Sequence, residues 1–144
     1  GIFEGSLTDK VAKVLQKLGS KHAMVVHGYE GLDEVSTTAS TKISHLKMDN
    51  TIESTAISPS DFGFKKATLD DLKGGEPEAN AVIIKNILDG TDRGKKADIV
   101  ILNAAAGIYV GGKANDWENG IQMAREAVNS GAALDKLNQL AAVK

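Results

Sequence analysis

The first apolar positions of the chain predict a strand, a helix and a second strand. Ile2 and Phe3 form a short apolar run, and capping side chains at residues 6–9 then precede a helical stripe that ends at Gly19. The stripe consists of Val11, Val14, Leu15 and Leu18. Residues 23–26 are a brief apolar run typical of a buried strand. This order predicts a crossover between parallel strands, with the loop that follows at the carboxyl edge of the sheet.

The next segment has the alternation of an antiparallel hairpin. Apolar and polar residues alternate roughly over residues 41–46 and again over 51–57, and Asp49-Asn50 lies between them as a turn signal. We therefore expect two antiparallel strands beside the parallel ones.

The second half of the chain has mainly helical patterns. Residues 58–63 have turn chemistry, and residues 69–73 form a short helical turn that leads into Gly74-Gly75. A helix begins near Pro77 and ends at Gly90, and its expected buried face is Ala81, Ile84, Ile87 and Leu88.

Three further helices are expected after Gly90. Residues 95–108 could be strand or helix by periodicity, but their length and three consecutive alanines favour a buried helix. Two amphipathic helices follow at residues 117–129 and 132–143, the latter with Leu134, Leu137 and Leu140 as its stripe. The predicted class is α/β, a partly parallel sheet with an antiparallel hairpin, flanked by helices. We expect residues 1–144 to form a single domain.

Composition narrows the functions that this chain can have. The 17 basic and 19 acidic residues nearly cancel, and the sequence pI of about 5.9 offers no basic surface, so nucleic acid is not an expected partner. There are no cysteines, which excludes disulfides and thiolate metal sites and fits a cytoplasmic location. The longest apolar stretch, residues 97–112, is interrupted by Asp98 and Asn103 and is too short to span a membrane.

The most informative segment for chemistry is His-Gly-Tyr-Glu-Gly-Leu-Asp-Glu at residues 27–34, directly after a predicted strand. Its glycines free the backbone, and it ends with two adjacent carboxylates, Asp33 and Glu34. Mg²⁺ takes oxygen ligands and is commonly held by one or two carboxylates together with substrate phosphates. Spacing alone leaves a second interpretation open, because adjacent acidic residues are common on solvated loops.

Residues 25–28 and 31–36 resemble the HG-x-x-GLDE-[VL]-[ST] signature of anthranilate phosphoribosyltransferases. Other landmarks of that family occur in the same order along this chain. They are Asp61-Phe62-Gly63, Leu72-Lys73-Gly74-Gly75 with Asn80-Ala81, Leu102-Asn103-Ala104-Ala105-Ala106 with Tyr109, and Ser130-Gly131-Ala132-Ala133 before Leu137. The resemblance covers essentially the whole chain and implies a fold of the nucleoside phosphorylase and phosphoribosyltransferase type.

The resemblance implies Mg²⁺-dependent transfer of the phosphoribosyl group of phosphoribosyl pyrophosphate to anthranilate, in tryptophan biosynthesis. It implies that Asp33 and Glu34 are the metal ligands, and it names no general base. The family's GTGGD-type phosphate loop and amino-terminal helical domain are absent from these 144 residues, so the chain corresponds to the carboxy-terminal part of the α/β domain. We expect it to be inactive alone and to act as a homo-oligomer or with a complementing amino-terminal portion.

Two other functions remain open. The chain could be a non-catalytic relative that binds a ligand or partner, or a structural unit in which Asp33 and Glu34 bind nothing. Other polar and aromatic residues are expected to have structural or solvated roles. They are His27 in a local hydrogen bond, Lys73 in solvent, Asn103 and Tyr109 within a buried helix, and Trp117 packed beneath the last helices, while His22 and His45 carry no functional signal.

Overall fold

The computed structural model describes residues 1–143, and its sheet has three strands in the order β1-β2-β3. These are β1 (Ala23–Gly28), β2 (Thr41–Leu46) and β3 (Ile52–Ile57), and both neighbouring pairs are antiparallel. The turn between β2 and β3 is closed by a hydrogen bond from Lys47 N to Thr51 O at 2.8 Å, and Asn50 has a φ of 67°. The predicted hairpin is therefore confirmed.

The predicted parallel part of the sheet does not form within residues 1–143. Ile2 N donates to Val26 O at 3.0 Å, so the start of the chain does lie beside β1. However, residues 5–7 already turn into a 3-10 helix (Gly5–Leu7) before the first α-helix, which leaves too short a run for a ladder. The α/β class with flanking helices is confirmed, and the expected parallel crossover into β1 is wrong for the described residues.

Residues 1–143 form six α-helices, which match the predicted segments closely. They are α1 (Thr8–Lys17), α2 (Leu69–Leu72), α3 (Pro77–Leu88), α4 (Lys95–Val110), α5 (Trp117–Asn129) and α6 (Ala132–Ala141). A second 3-10 turn spans Pro59–Phe62. The ambiguous segment is thus the helix α4. No helix formed by residues 1–143 combines the length and apolar character needed to cross a bilayer.

The core lies between the sheet and the pair α4 and α5. Its buried members are Val26, Val35, Ile43, Phe64, Ile101, Leu102, Ala105, Ile121 and Ala124. The two helices approach closely because Gly120 of α5 faces the backbone of Ala105 in α4, where a Cβ on Gly120 would lie only 2.8 Å from the Ala105 carbonyl oxygen. This arrangement places α4 beneath the loop that carries the candidate carboxylates.

Several apolar positions of the outer helices are exposed, contrary to the predicted stripes. Val14 of α1 is 53% exposed and Leu18, directly after that helix, is 77% exposed, while Ile84 of α3 is 48% exposed and Leu140 of α6 is 70% exposed. In α3 only Ile87, at 4%, is fully buried. These helices lie at the periphery, so their apolar stripes are only partly covered and the remaining positions face solvent.

Candidate metal site

A tight turn after β1 sets the direction of the candidate loop. Gly28 N donates to Leu32 O at 2.8 Å, and Gly31 N donates to Gly28 O at 2.8 Å. Gly31 has a φ of 107°, a conformation that residues with a Cβ rarely adopt. The turn brings the chain back over the end of β1 and delivers Asp33 to the surface.

Glu30, inside the turn, points inward and does not join the two exposed carboxylates. Its Oε1 accepts short hydrogen bonds from the hydroxyls of Ser36 and Thr38, and its Oε2 is buried without a partner among residues 1–143. Ser36 Oγ also accepts from Thr38 N at 2.9 Å. A Cβ on Gly28 would lie 2.8 Å from Glu30 Oε2, so this glycine makes room for the carboxylate. This network depends on side-chain contacts among residues 30, 36 and 38 that no pattern in the sequence indicates.

Asp33 and Glu34 are both exposed at the outer end of the loop. Within the part of the chain that the structure describes, their carboxylates accept no hydrogen bond and form no salt bridge. Residues 1–143 contain no group of three or more His, Asp or Glu side chains arranged to hold a metal. Two free carboxylates fit Mg²⁺ as part of a site, because this ion keeps several waters and takes its remaining oxygens from substrate phosphates.

Asn103 of α4 holds the residue that follows the two carboxylates. Its Oδ1 accepts from Val35 N at 2.8 Å, and its Nδ2 donates to Val35 O at 2.8 Å and to Ile99 O at 2.9 Å. Val35 is 1% exposed, so either of its backbone polar groups would cost about 1 to 3 kcal/mol if left unpaired. The expected hydrogen-bonded role of Asn103 within the protein is confirmed.

The histidines lie apart from the carboxylates and make local contacts. His27 Nδ1 is 3.1 Å from Ile2 O, as expected for a local hydrogen bond. His22 and His45 form an unforeseen pair with their Nε2 atoms 2.7 Å apart, and the ring of Tyr109 meets both edge-on at 5.6 Å. Burial, and then the charge of His22, lower the pKa of His45 below its ordinary value of 6.5.

Lys73 and Trp117 lie outside the loop that carries the two carboxylates. Lys73 is exposed, in agreement with its predicted solvated role. Trp117, at the start of α5, stacks on Phe62 with ring centroids 5.2 Å apart and packs against the core cluster. Asp33 and Glu34 therefore lie on an exposed surface, whereas the histidines, Asn103 and Trp117 make contacts within the protein.

Comparison with known proteins shows which family this chain belongs to. Residues 1–134 match the family model described as "Glycosyl transferase family, a/b domain". The chain belongs to that family. Within it, the chain is 48% identical over 140 residues to an anthranilate phosphoribosyltransferase of Alkaliphilus metalliredigens, an alignment that covers 97% of this chain and 41% of that protein. The resemblance stated from the motifs is thereby confirmed.

Solved structures of the same enzyme share the fold. The anthranilate phosphoribosyltransferase of Thermus thermophilus superposes with a TM-score of 0.86 at 35% identity, covering 96% of this chain and 40% of that one. The Saccharomyces cerevisiae enzyme in complex with phosphoribosyl pyrophosphate and magnesium gives a TM-score of 0.85 at 27% identity with the same coverage. The expected phosphoribosyltransferase fold is confirmed, and the chain spans about 40% of the length of these relatives.

Proposed function

We propose that this chain supplies the metal-binding part of an anthranilate phosphoribosyltransferase. The observation that carries the proposal is a pair of exposed carboxylates, Asp33 and Glu34, on an anchored loop of a family member, with no hydrogen-bond or ion-pair partner within residues 1–143. Support comes from the relatives that bear this enzyme's name and from the yeast structure described with phosphoribosyl pyrophosphate and magnesium.

In the proposed reaction the amino nitrogen of anthranilate bonds to the anomeric carbon of the phosphoribosyl group. The bond between that carbon and pyrophosphate breaks, and the nitrogen loses a proton. Bound Mg²⁺ would supply positive charge against the negative charge that develops on the departing pyrophosphate. Asp33 and Glu34 would stay ionised as oxygen ligands and would not exchange protons with the substrates.

The remaining substrate contacts belong to segments outside these 144 residues in this proposal. The chain would form the carboxy-terminal part of the α/β domain, and a phosphate-binding glycine loop and a helical domain would complete the enzyme. That completion would come from an amino-terminal portion, with a homo-oligomer as the working assembly. The cysteine-free composition fits its placement in the cytoplasm.

The test is a transferase assay on the native protein at its gene-encoded length, following loss of anthranilate fluorescence with phosphoribosyl pyrophosphate and Mg²⁺. Asp33→Asn with Glu34→Gln should lower kcat/KM by at least about 100-fold, since both charged metal ligands are lost. The matched control is Glu76→Gln with Glu78→Gln, which neutralises two exposed carboxylates at the start of α3 and should leave the rate unchanged.

Two results would refute the proposal. One is a native protein that contains the complete set of family motifs yet does not turn over. The other is a double variant at Asp33 and Glu34 that keeps the native rate and the native dependence on Mg²⁺. In the first case a non-catalytic ligand-binding relative becomes the better explanation, and calorimetry with phosphoribosyl pyrophosphate alone would test it.

A further inference from the structure

The loop that carries Asp33 and Glu34 is not paired with a strand at the next residue, Val35. Residue 35 lies between β1 and β2, outside the ladder that joins the two strands. Its buried backbone N–H and C=O must therefore find partners other than a neighbouring strand. Both partners are on one side chain, the amide of Asn103, which is 68 positions away in sequence.

The Asn103 amide uses its oxygen and both of its N–H hydrogens in hydrogen bonds. A primary amide has one acceptor oxygen and two donor hydrogens in one plane. The oxygen and one hydrogen pair with Val35 as a neighbouring strand would, and the second hydrogen bonds to Ile99 O one turn earlier in α4. An aspartate at this position could not donate, and an apolar side chain could do neither.

The anchor is rigid because α4 is a 16-residue helix packed on the sheet and on α5. On its other side the loop is held by the turn from Gly28 to Leu32 and by the hydroxyl contacts of Glu30. Asp33 and Glu34 lie between these two attachments, and their side chains form no hydrogen bond or salt bridge within residues 1–143. Their placement therefore depends on the residues that flank them.

We propose that Asn103 is a positioning residue for the Asp33–Glu34 metal ligands. It acts through Val35, to which it bonds directly, and does not touch substrate or metal. The inference rests on the proposed function, because a ligand position matters only where a metal is bound. Its physical basis is that carboxylates displaced by a fraction of an ångström bind a strictly octahedral cation such as Mg²⁺ poorly.

The chain contains a matched control for this contact. Asn80 of α3 makes the same paired contact with a backbone, accepting from Gly75 N and donating to Gly75 O, both at 2.8 Å. That contact lies in an exposed turn and does not involve the loop at residues 28–38. Asn103→Ala and Asn80→Ala thus remove the same chemistry, one beside the carboxylates and one remote from them.

The experiment measures the Mg²⁺ dependence of the native protein and of both variants. In Asn103→Ala the Mg²⁺ concentration for half-maximal rate should rise at least about tenfold, with part of kcat recovered at saturating Mg²⁺. In Asn80→Ala it should stay within about twofold of the native value. Equal Mg²⁺ dependence in the two variants would overturn the inference. Should Asn103→Ala fail to fold, Asn103→Ser is measured by the same criteria.

A second readout separates failure of this inference from failure of the proposed function. Backbone hydrogen exchange at residues 33–36 requires neither metal nor activity. It should accelerate at least about tenfold in Asn103→Ala and not in Asn80→Ala. Unchanged exchange would overturn the anchoring role even in an active enzyme. A native protein that binds no Mg²⁺ but shows faster exchange in the Asn103 variant would refute the metal function and leave the anchor established.

Discussion

A close approach between α4 and α5 gives a sharp test of how the core is packed. Gly120 of α5 is buried against α4, and a Cβ added there would lie 2.8 Å from the carbonyl oxygen of Ala105 and 3.3 Å from its Cα. Both atoms belong to the main chain and cannot rotate away. Gly120→Ala must therefore separate the two helices that support the core.

The magnitude follows from two opposing effects. Overpacking a core costs about 1 to 3 kcal/mol, and the backbone overlap favours the upper end. Replacing a mid-helix glycine by alanine returns up to about 1 kcal/mol. The expected net loss is about 2 kcal/mol, which at this chain length corresponds to a fall in Tm of about 4 to 8 °C.

Gly107→Ala is the control, because Gly107 is exposed within α4 and a Cβ there would meet nothing within 4 Å. This variant should gain about 0.5 to 1 kcal/mol from helix propensity alone. Urea unfolding followed by circular dichroism and by fluorescence of Trp117, the single tryptophan, measures both variants. A Gly120→Ala protein at least as stable as Gly107→Ala would refute the close-packing argument.

Three further predictions concern polar groups away from the carboxylates. Thr37 is fully buried, and its hydroxyl has no partner among residues 1–143, so Thr37→Val should raise the unfolding free energy by about 1 kcal/mol in urea titrations; a loss of stability would contradict this. The hydroxyl of Ser54, and then Lys42, lower the pKa of Asp9 from 3.8 to about 2. The ionised Asp9 carboxylate therefore stabilises the fold above pH 3.8, and this contribution is lost as the pH falls toward 2. Urea unfolding at each pH should show a smaller loss of stability on acidification in Asp9→Asn than in the native protein. Burial lowers the pKa of His45, so protonation of this imidazole is unfavourable in the folded state and the fold loses stability as the pH falls below 6.5. The native Tm should fall from about pH 7.5 to pH 5.5, and His45→Gln should show a smaller fall, whereas equal slopes would contradict the role of this histidine.

The sequence predicted most elements because their local signals agree with their tertiary surroundings. The hairpin has alternation on both strands and a turn at Asn50, and α4 has helix-forming alanines at a length that no strand of a small domain needs. The predicted parallel crossover was wrong because two apolar residues, Ile2 and Phe3, cannot indicate how long a ladder will be. The predicted burial of Ile84 was wrong for a related reason, since periodicity identifies an apolar face but not its covering partner.

The two parts of the candidate site differ in how far the sequence can reveal them. Asp33 and Glu34 are adjacent and follow a glycine turn, so a local motif suffices to single them out. The contact between Asn103 and Val35 depends on bringing a helix under a loop 68 positions away, so the sequence predicted a hydrogen-bonded role for Asn103 but not its partner. A metal site needs both, because charge identifies the ligands while fixed geometry determines their affinity. A motif can therefore include a residue that positions ligands through the backbone without revealing that role, and in this fold such residues should be sought where a side-chain amide takes the place of a missing strand.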